Sequence, residues 1–301
     1  MIFDRMEKYS QPLVSVAVVT YNSSKTVVET LDSIANQTYQ NLELIVSDDC
    51  SIDGTVDICQ EWIGLHKERF VRAEMLTVEK NTGVSANMNR AERACWGDWV
   101  KPIAGDDLLL PRCVEIYVDY VKEHSDAVYV FARMECFGGE EKERNSKNDW
   151  YSNQTKLFFD SSIEEQLDFL TMVGNCVPAP SAFFNKAAVE TLGVVNDERI
   201  PFLEDRPKWI NLLKKQVRFH YIDKETVKYR LNDNSLCRKA PSKFEKSRAK
   251  LYVYYCFENE YRKGDKKAAV LKWLRSQKTI HNGSIIWKVL IRLYKRTFSI
   301  P

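Results

Sequence analysis

Several features that would assign the chain to a specialised class are scarce or missing. Glycine accounts for only 11 of the 301 residues, so a low-complexity architecture is not indicated. No uninterrupted apolar run approaches the ~18 residues of a membrane-spanning helix, and MIFDRMEKYSQP at the N-terminus lacks the apolar centre of a signal peptide. The net charge of +2 gives no reason to expect nucleic-acid binding.

The eight cysteines form no metal-binding or disulfide pattern. None stands in a CxxC pair, and their spacing is irregular, so neither a zinc site nor a disulfide framework is predicted. We expect reduced thiols packed as small hydrophobic side chains in a cytosolic protein.

What the sequence does contain is an alternation of apolar strands and amphipathic helices along its first third. Strands are predicted in LVSVAVVTYN (13–22), LELIVSD (42–48), VRAEMLTVE (71–79) and Trp99–Ile103, with helices between them. These strands are apolar on both faces, which is typical of a parallel sheet covered by helices on both sides. In such sheets ligands bind beyond the carboxyl ends of the strands.

Polar side chains follow three of these strands where each one ends. They are Thr20-Tyr21-Asn22, Asp48-Asp49 and Asp106-Asp107. Placing two aspartates side by side at the end of a buried strand costs free energy unless a positive charge neutralises them. The sequence therefore predicts one polar site at this edge of the sheet, with a cation at Asp106-Asp107.

The rest of the chain is less regular. The pattern predicts a helix opening at Pro111, a strand over 127–137, a mobile surface loop over 138–153 and helices beyond Pro241. Thr26, three residues before a glutamate, predicts a capping box at the start of the first helix.

Five segments together resemble the family 2 glycosyltransferases of the GT-A fold. They are VSVAVVTYN, ELIVSDDCSIDGT, NTGVSANMNRA, GDDLLLP and LEDRPKW, in that order, within 12–235. The resemblance implies an α/β fold: a GT-A-type, Rossmann-like, mostly parallel sheet flanked by helices. It implies a catalytic domain over 1–235, with a nucleotide-binding half at 12–107 and an acceptor half at 108–235. Residues 236–301 would form a helical C-terminal extension.

The same resemblance implies a nucleotide-sugar donor, inversion at the anomeric carbon and a divalent metal, Mn²⁺ or Mg²⁺. Seven residues after the first three strands would bind the nucleotide: Thr20, Tyr21, Asn22, Asp48, Asp49, Asn81 and Gly83. Tyr21 would pack on the base, and the aspartates would accept hydrogen bonds from uracil N3 and ribose hydroxyls. Ordinary turn and helix-capping roles for these residues stay open as the alternative.

The AGDD segment resembles the metal motif of the family. Asp106 would be the carboxylate nearest the metal and the donor, and Asp107 its partner. Ala104 stands where relatives commonly carry another aspartate, which weakens the expectation of metal dependence.

The LEDRP segment resembles the general-base motif. Asp205 would take the proton of the acceptor hydroxyl and Glu204 would orient the site, although helix capping beside Pro207 is an alternative. Downstream, Arg230 would contact the diphosphate, and Asn232 occupies a position where relatives often have histidine.

The last helix combines a basic face with apolar side chains. Its basic residues are Lys288, Arg292, Lys295 and Arg296, and mostly opposite them lie Ile286, Trp287, Leu290, Leu293 and Tyr294. Binding to an anionic membrane surface and docking on the catalytic domain are both open.

The sequence as a whole favours an inverting hexosyltransferase that uses a UDP-sugar. Its acceptor would be a polyprenyl-diphosphate-linked glycan of O-antigen or capsule type, and it would work in the cytoplasm, peripherally on the inner face of the membrane. The oligomeric state stays open. One alternative is a non-catalytic nucleotide-sugar-binding or scaffold member of the same fold. Another is a nucleotide-dependent oxidoreductase, which the absence of GxGxxG after the first strand disfavours.

Overall fold

The computed structural model describes residues 11–231 and 241–298. The N-terminal segment 1–10, Asn232 and the predicted domain boundary at 235/236 lie outside the described residues.

Within the described residues, eight strands form one mixed sheet in the order β3-β2-β1-β4-β7-β6-β8-β5. The strands are β1 (Val14–Thr20), β2 (Leu42–Asp48), β3 (Arg72–Leu76), β4 (Trp99–Ala104), β5 (Leu108–Leu109), β6 (Tyr129–Gly138), β7 (Phe183–Asn185) and β8 (Phe219–Leu231). The first four strands pair in parallel, as do β6 and β8, whereas β7 and β5 run antiparallel to their neighbours. The predicted mostly parallel α/β sheet is therefore confirmed.

Helices connect and cover the strands. They are α1 (Val27–Ala35), α2 (Thr55–His66), α3 (Val84–Ala94), α4 (Cys113–Glu123), α5 (Glu141–Asp160), α6 (Ile163–Asp168), α7 (Lys186–Leu192), α8 (Asp205–Lys214), α9 (Pro241–Leu251), α10 (Phe257–Lys263), α11 (Lys266–Ile280) and α12 (Ile285–Thr297). None of these helices combines the length and hydropathy that crossing a bilayer requires.

Both faces of the sheet are buried, as the uninterrupted apolar strands predict. Along β1, Val16 and Val18 join one hydrophobic core, while Ala17 and Val19 join a second core on the opposite face. Because both cores need covering helices, the carboxyl ends of the strands are left as the accessible edge.

The prediction of a surface loop over 138–153 is wrong, because helix α5 begins at Glu141. After Gly139 the segment holds neither glycine nor proline and is rich in helix-forming glutamate and lysine. Its apolar anchors come late, since Phe158 and Phe159 are buried in the core. The long polar stretch before them lacks the apolar periodicity that would have predicted a helix.

The predicted capping box at Thr26 and the predicted helix opening at Pro111 also need correction. The Thr26 side chain caps no helix nitrogen, because its hydroxyl donates instead to the Gly105 carbonyl at 2.8 Å. Helix α4 begins at Cys113, so Pro111 lies in the preceding turn.

The helices beyond Pro241 pack against the rest of the chain. Leu251, Tyr252 and Tyr255 belong to one of the two cores, and the Tyr255 hydroxyl donates to Asp197 at 2.7 Å. The C-terminal segment therefore contributes to the same core as the sheet.

Candidate functional site

The strand order reverses at β1, which lies between β2 and β4, and ligands of parallel sheets bind at such a reversal. Thr20 at the end of β1 lies opposite Asp48 of β2, and Val19 lies opposite Ala104 of β4. The three predicted polar clusters therefore do meet at one edge. A Cβ on Gly105 would lie 2.8 Å from the Thr20 side chain, so this close approach requires glycine.

Asp48 organises the turn after β1. Its buried carboxylate accepts hydrogen bonds from the Thr20 hydroxyl at 2.7 Å and from the Ser51 backbone nitrogen at 2.7 Å. Asn22 has a left-handed backbone (φ 52°), and its side-chain oxygen accepts from the Ile52 nitrogen at 3.0 Å. These bonds fix the loops around Tyr21, whose side chain is 42% exposed and free to pack on a planar ligand.

Asp49 binds the N-terminal end of helix α3. Its carboxylate accepts from the backbone nitrogens of Thr82 at 3.0 Å and Gly83 at 2.7 Å, and from the Arg90 guanidinium at 3.2 Å. This contact joins the end of β2 to Thr82 and Gly83, which follow β3 and precede α3. Asp49, Thr82 and Gly83 are called the Asp49 wall below. Asn81, which precedes the wall, is exposed.

The described hydrogen bonds of Asp48 and Asp49 thus go to the protein itself. The capping alternative accounts for them, and contact with uracil or ribose stays a prediction.

The two residues of the second aspartate pair differ in burial. Asp107 is buried and accepts a hydrogen bond from the Arg230 backbone nitrogen at 2.9 Å, whereas Asp106 is half-buried. Burial and the neighbouring charge of Asp106 raise the pKa of Asp107 well above its usual value. A cation beside the pair would relieve this electrostatic cost.

Arg230 braces this pair. Its guanidinium donates to the Asp106 carbonyl at 2.7 Å and to the Glu29 carboxylate at 2.6 Å, and it stacks 4.5 Å from the Phe137 ring centroid. Arg230, predicted to contact the diphosphate, therefore lies beside Asp106. Much of the hydrogen-bonding capacity of its guanidinium is already used to hold the Asp106 loop.

Glu204 and Asp205 stand at the start of α8, and both are half-buried. The Asp205 carboxylate accepts from the Asn175 side-chain amide at 2.6 Å and from the Arg206 backbone nitrogen at 2.6 Å. Burial and the charge of Asp205 raise the pKa of Glu204 to about 7, and burial raises the pKa of Asp205.

The segment before this acid pair is hydrogen-bonded to helix α3. The Ser85 hydroxyl donates to the Ile200 carbonyl at 2.8 Å. The Asn89 side-chain amide donates to the Asn196 backbone carbonyl at 2.9 Å, and the Asn196 side-chain amide donates to the Asn89 side-chain oxygen at 2.9 Å. A Cβ on Gly83 would lie 2.8 Å from that of Pro201. The wall held by Asp49 is therefore in direct contact with the segment that carries the acid pair.

Comparison with known proteins gives the family. The model of glycosyl transferase family 2 matches residues 15–192, which is more than half of the chain. The chain belongs to this family. Its TYN, DD, NTG and GDD segments all fall within the match, and the LEDRP segment follows it. The oxidoreductase alternative is thereby set aside.

Relatives in this family match the chain over different extents. Chondroitin synthase of Escherichia coli is 35% identical over 121 residues, which are 40% of this chain but only 17% of that protein. TuaG of Bacillus subtilis, named as a teichuronic acid biosynthesis glycosyltransferase, is 24% identical over 81% of this chain and 88% of its own length. The chain thus spans a small part of one relative and most of the other.

Solved structures of similar fold are glycosyltransferases. Staphylococcus aureus TarS in complex with UDP-GlcNAc aligns with a TM-score of 0.63 at 16% identity, covering 89% of this chain and 81% of that chain. The mannosyltransferase PcManGT of Pyrobaculum calidifontis, in complex with GDP-Man and Mn²⁺, aligns with a TM-score of 0.56 at 16% identity, covering 96% and 84%. At these identities the likeness confirms the GT-A fold.

The candidate metal ligands of this family 2 chain fit a divalent cation that brings further ligands of its own. Among the described residues no group of three or more His, Cys, Asp or Glu side chains converges to hold a metal. Asp106 and Asp107 supply carboxylate oxygens, and Ala104 supplies none. Mg²⁺ and Mn²⁺ accept one or two carboxylates completed by phosphate oxygens and water, so the pair fits a metal–diphosphate complex.

Sequence reasoning missed three side chains that hold the site: Arg90, Asn175 and Lys208. Arg90 lies within a segment that carried the resemblance, so its neighbourhood was indicated. Lys208 pairs with Glu92 across α8 and α3 at 2.7 Å. No local pattern marks Asn175, because its contact with Asp205 spans 30 residues of chain.

The raised pKa values of the acid pair predict a pH-dependent rate. A general base acts only when deprotonated, so we expect kcat/KM to rise as the Asp205 carboxylate, whose pKa burial raises, loses its proton. We expect a second rise near pH 7, where the neighbouring Glu204 ionises, and then a plateau. Glu204→Gln removes that second ionisation and should abolish the rise near pH 7. Folding stability should respond oppositely. The folded pair binds protons more tightly than the unfolded chain, so its contribution is present at low pH and is lost as pH rises through about 7.

Rate profiles from about pH 5 to pH 9 for the wild type and Glu204→Gln test this prediction. A profile that is flat through neutrality, or a rise near pH 7 that Glu204→Gln leaves in place, would contradict it.

Proposed function

We propose that the protein transfers a hexose from a UDP-hexose, with inversion, to a hydroxyl of a polyprenyl-diphosphate-linked glycan during bacterial-type surface-polysaccharide assembly. The observation that carries this proposal is the contact between Gly83 of the Asp49 wall and Pro201, which lies in the segment that carries the acid pair. It places the segment that precedes Glu204-Asp205 against the start of α3, on the side of the sheet edge where Tyr21 and Asp106 follow their strands. Family membership and the UDP-GlcNAc complex of TarS support a UDP-sugar donor.

The proposed chemistry is a single displacement. The acceptor hydroxyl gives its proton to the Asp205 carboxylate while its oxygen bonds to the anomeric carbon, and the bond from that carbon to the UDP oxygen breaks. Hydrogen bonds from Asn175 and the Arg206 nitrogen orient the Asp205 carboxylate for this transfer. A divalent metal held by Asp106 and Asp107 would offset the charge of the departing diphosphate.

The test is a screen of UDP-glucose, UDP-galactose, UDP-N-acetylglucosamine and UDP-N-acetylgalactosamine with Mn²⁺, following UDP release with and without glycan acceptors. We expect turnover of one donor to exceed the others. UDP binding without turnover of any donor would instead favour the non-catalytic alternative.

Asp106→Ala should remove metal-dependent donor binding. With Mn²⁺ present, we expect its UDP affinity to fall at least about tenfold, which is ~1.4 kcal/mol. Calorimetric titration with Mn²⁺ and with EDTA measures this, and Asp119→Ala, an exposed aspartate on α4, is the matched control. Equal affinities of wild type and Asp106→Ala in Mn²⁺ would refute the role of Asp106.

We also propose that α12 attaches the protein to the inner face of the membrane. One edge of the helix docks on α11, where Trp287 packs 5.8 Å from Trp273 between ring centroids. The opposite stripe is exposed: Ile285 (75%), Ile286 (64%), Val289 (46%), Leu290 (39%) and Leu293 (54%). The predicted apolar side is therefore split between a docked edge and a free one, with basic side chains alongside. Anionic lipid would bury the free stripe and attract the basic residues.

Vesicle flotation tests this attachment. The wild-type protein should float with anionic vesicles and bind zwitterionic ones more weakly. Ile286→Glu/Leu293→Glu should reduce binding at least about tenfold. Leu65→Glu, which changes an exposed leucine on α2, is the control and should bind normally. A wild-type protein that stays unbound with anionic vesicles would refute the attachment.

A further inference from the structure

A cavity of about 310 Å³ lies between helix α5 and the middle of β6 and β8. The register of these two strands shifts on either side of Arg133, which opens the sheet at this point. Helix α5 forms the opposite wall, where the Asn148 side chain accepts a hydrogen bond from the Cys136 backbone nitrogen at 2.7 Å. The cavity is thus built by a helix fastened to a bulged strand.

One side of this cavity is formed by the loop that contacts the proposed general base, Asp205. Pro178 lines the cavity, and the same short loop carries Asn175, whose amide holds the Asp205 carboxylate at 2.6 Å. Thr155, also in the lining, donates to the Cys176 carbonyl of that loop at 3.2 Å. Burial raises the pKa of Tyr151, a further lining residue, and Cys136 and the charge of Asp205 add smaller contributions in the same direction. The cavity and the base therefore share one loop.

A second side of this cavity is connected, through strand β6 and Arg230, to the aspartates of the proposed metal site. Strand β6 carries Glu135 in the lining and, two residues later, Phe137 beneath the Arg230 guanidinium. Arg230 in turn donates to the Asp106 carbonyl. A chain of contacts therefore links the cavity to each of the two acidic pairs, through Arg230 to Asp106 and through Asn175 to Asp205.

The lining combines hydrogen-bonding groups with an aromatic ring and an excess of negative charge. Its chemistry is set by Arg133, Glu135, Asn148, Asp149, Tyr151 and Glu225. Carboxylates, an amide and a guanidinium offer both acceptors and donors to sugar hydroxyls, and a tyrosine ring offers a flat surface. Of the three lining carboxylates, Glu225 pairs with the Arg133 guanidinium at 2.6 Å and Glu135 pairs with Lys228 at 3.6 Å. Asp149 is then the lining carboxylate that forms no ion pair with the described residues. This charge balance disfavours an anionic ligand.

We infer that this cavity is the subsite for the acceptor's terminal sugar, and that it accepts a neutral or amino sugar and rejects a uronic acid or a phosphorylated sugar. The inference rests on the proposed function for the direction of transfer. The volume, at the lower end of the ~300–1,000 Å³ typical of ligand pockets, limits the subsite to about one ring.

Ligand-observed NMR on the full-length protein saturated with UDP tests the inference, because it detects binding without requiring turnover. The probes are methyl glucoside, methyl galactoside, methyl N-acetylglucosaminide and methyl glucuronide. At least one neutral probe should show saturation transfer, and the glucuronide should show none. Asp149→Lys should abolish the neutral signal or weaken its affinity at least about tenfold, and should raise that of the glucuronide.

Asp119→Lys, which makes the same charge change on α4, is the control and should bind all probes as the wild type does. UDP titration of each variant verifies that the donor side is intact. The inference is overturned if the glucuronide binds as well as the neutral probes, if no neutral probe binds, or if Asp149→Lys binds them as the wild type does. Sugar binding without turnover of any donor would refute the proposed function and leave the subsite standing.

Discussion

Asp205→Asn should lower kcat by about 10²–10⁴ while UDP affinity stays within about twofold of the wild type. The amide has the shape of the carboxylate and can still accept the Asn175 hydrogen bond, but it cannot take a proton from the acceptor. Asp205 lies on α8, beyond the strand ends that would bind the nucleotide. The loss should therefore fall on the chemical step.

Steady-state rates and UDP titrations on the same preparations measure both effects. Asp119→Asn, an exposed aspartate on α4, is the matched control and should keep wild-type values. Near-normal turnover by Asp205→Asn would show that another group removes the proton. An equal loss of UDP affinity would place Asp205 in donor binding.

Lys208→Met should destabilise the fold by ~3–5 kcal/mol, because it leaves Glu92 without its partner. The Lys208 side chain is 2% exposed and lies 2.7 Å from the Glu92 carboxylate, which is 14% exposed. The ammonium also stacks 4.7 Å from the Phe184 ring centroid. The pair joins α8 to α3, so its loss should also loosen the acid pair at the start of α8.

Urea unfolding measures the free energy of unfolding for this variant. Lys122→Met removes an exposed partner 3.9 Å from Asp119 and should change it by no more than ~0.5 kcal/mol. Glu92→Leu/Lys208→Met should recover part of the loss, because no buried charge then stays unpaired. A cost for Lys208→Met as small as that of Lys122→Met would refute the account of this pair.

The strand half of the fold could be predicted because its signal is local. Largely apolar runs such as Val14–Val19, in which Ser15 is the one polar residue, identify buried parallel strands. Parallel strands bring Thr20, Asp48 and Asp106 to one edge. The prediction of converging polar clusters needed no contact beyond the sheet itself.

The remaining parts of the site depend on long-range contacts that sequence spacing does not reveal. Helix α3 buries Ser85, Asn87 and Asn89 because they bond to distant carbonyls and side chains. An apolar periodicity cannot indicate a buried polar face. Asn175 could not be predicted for a similar reason, because its contact with Asp205 exists only in the folded chain.

The central claim is that Asp106 and Asp205 face one cleft, with the diphosphate at the first and the attacking hydroxyl at the second. A crystal structure of the protein with UDP and Mn²⁺ tests it most directly. We predict Mn²⁺ bound to the Asp106 carboxylate and to both phosphates, with the Asp205 carboxylate opening onto the space beside the β-phosphate. Diphosphate bound elsewhere, or a metal with no contact to Asp106, would contradict the account.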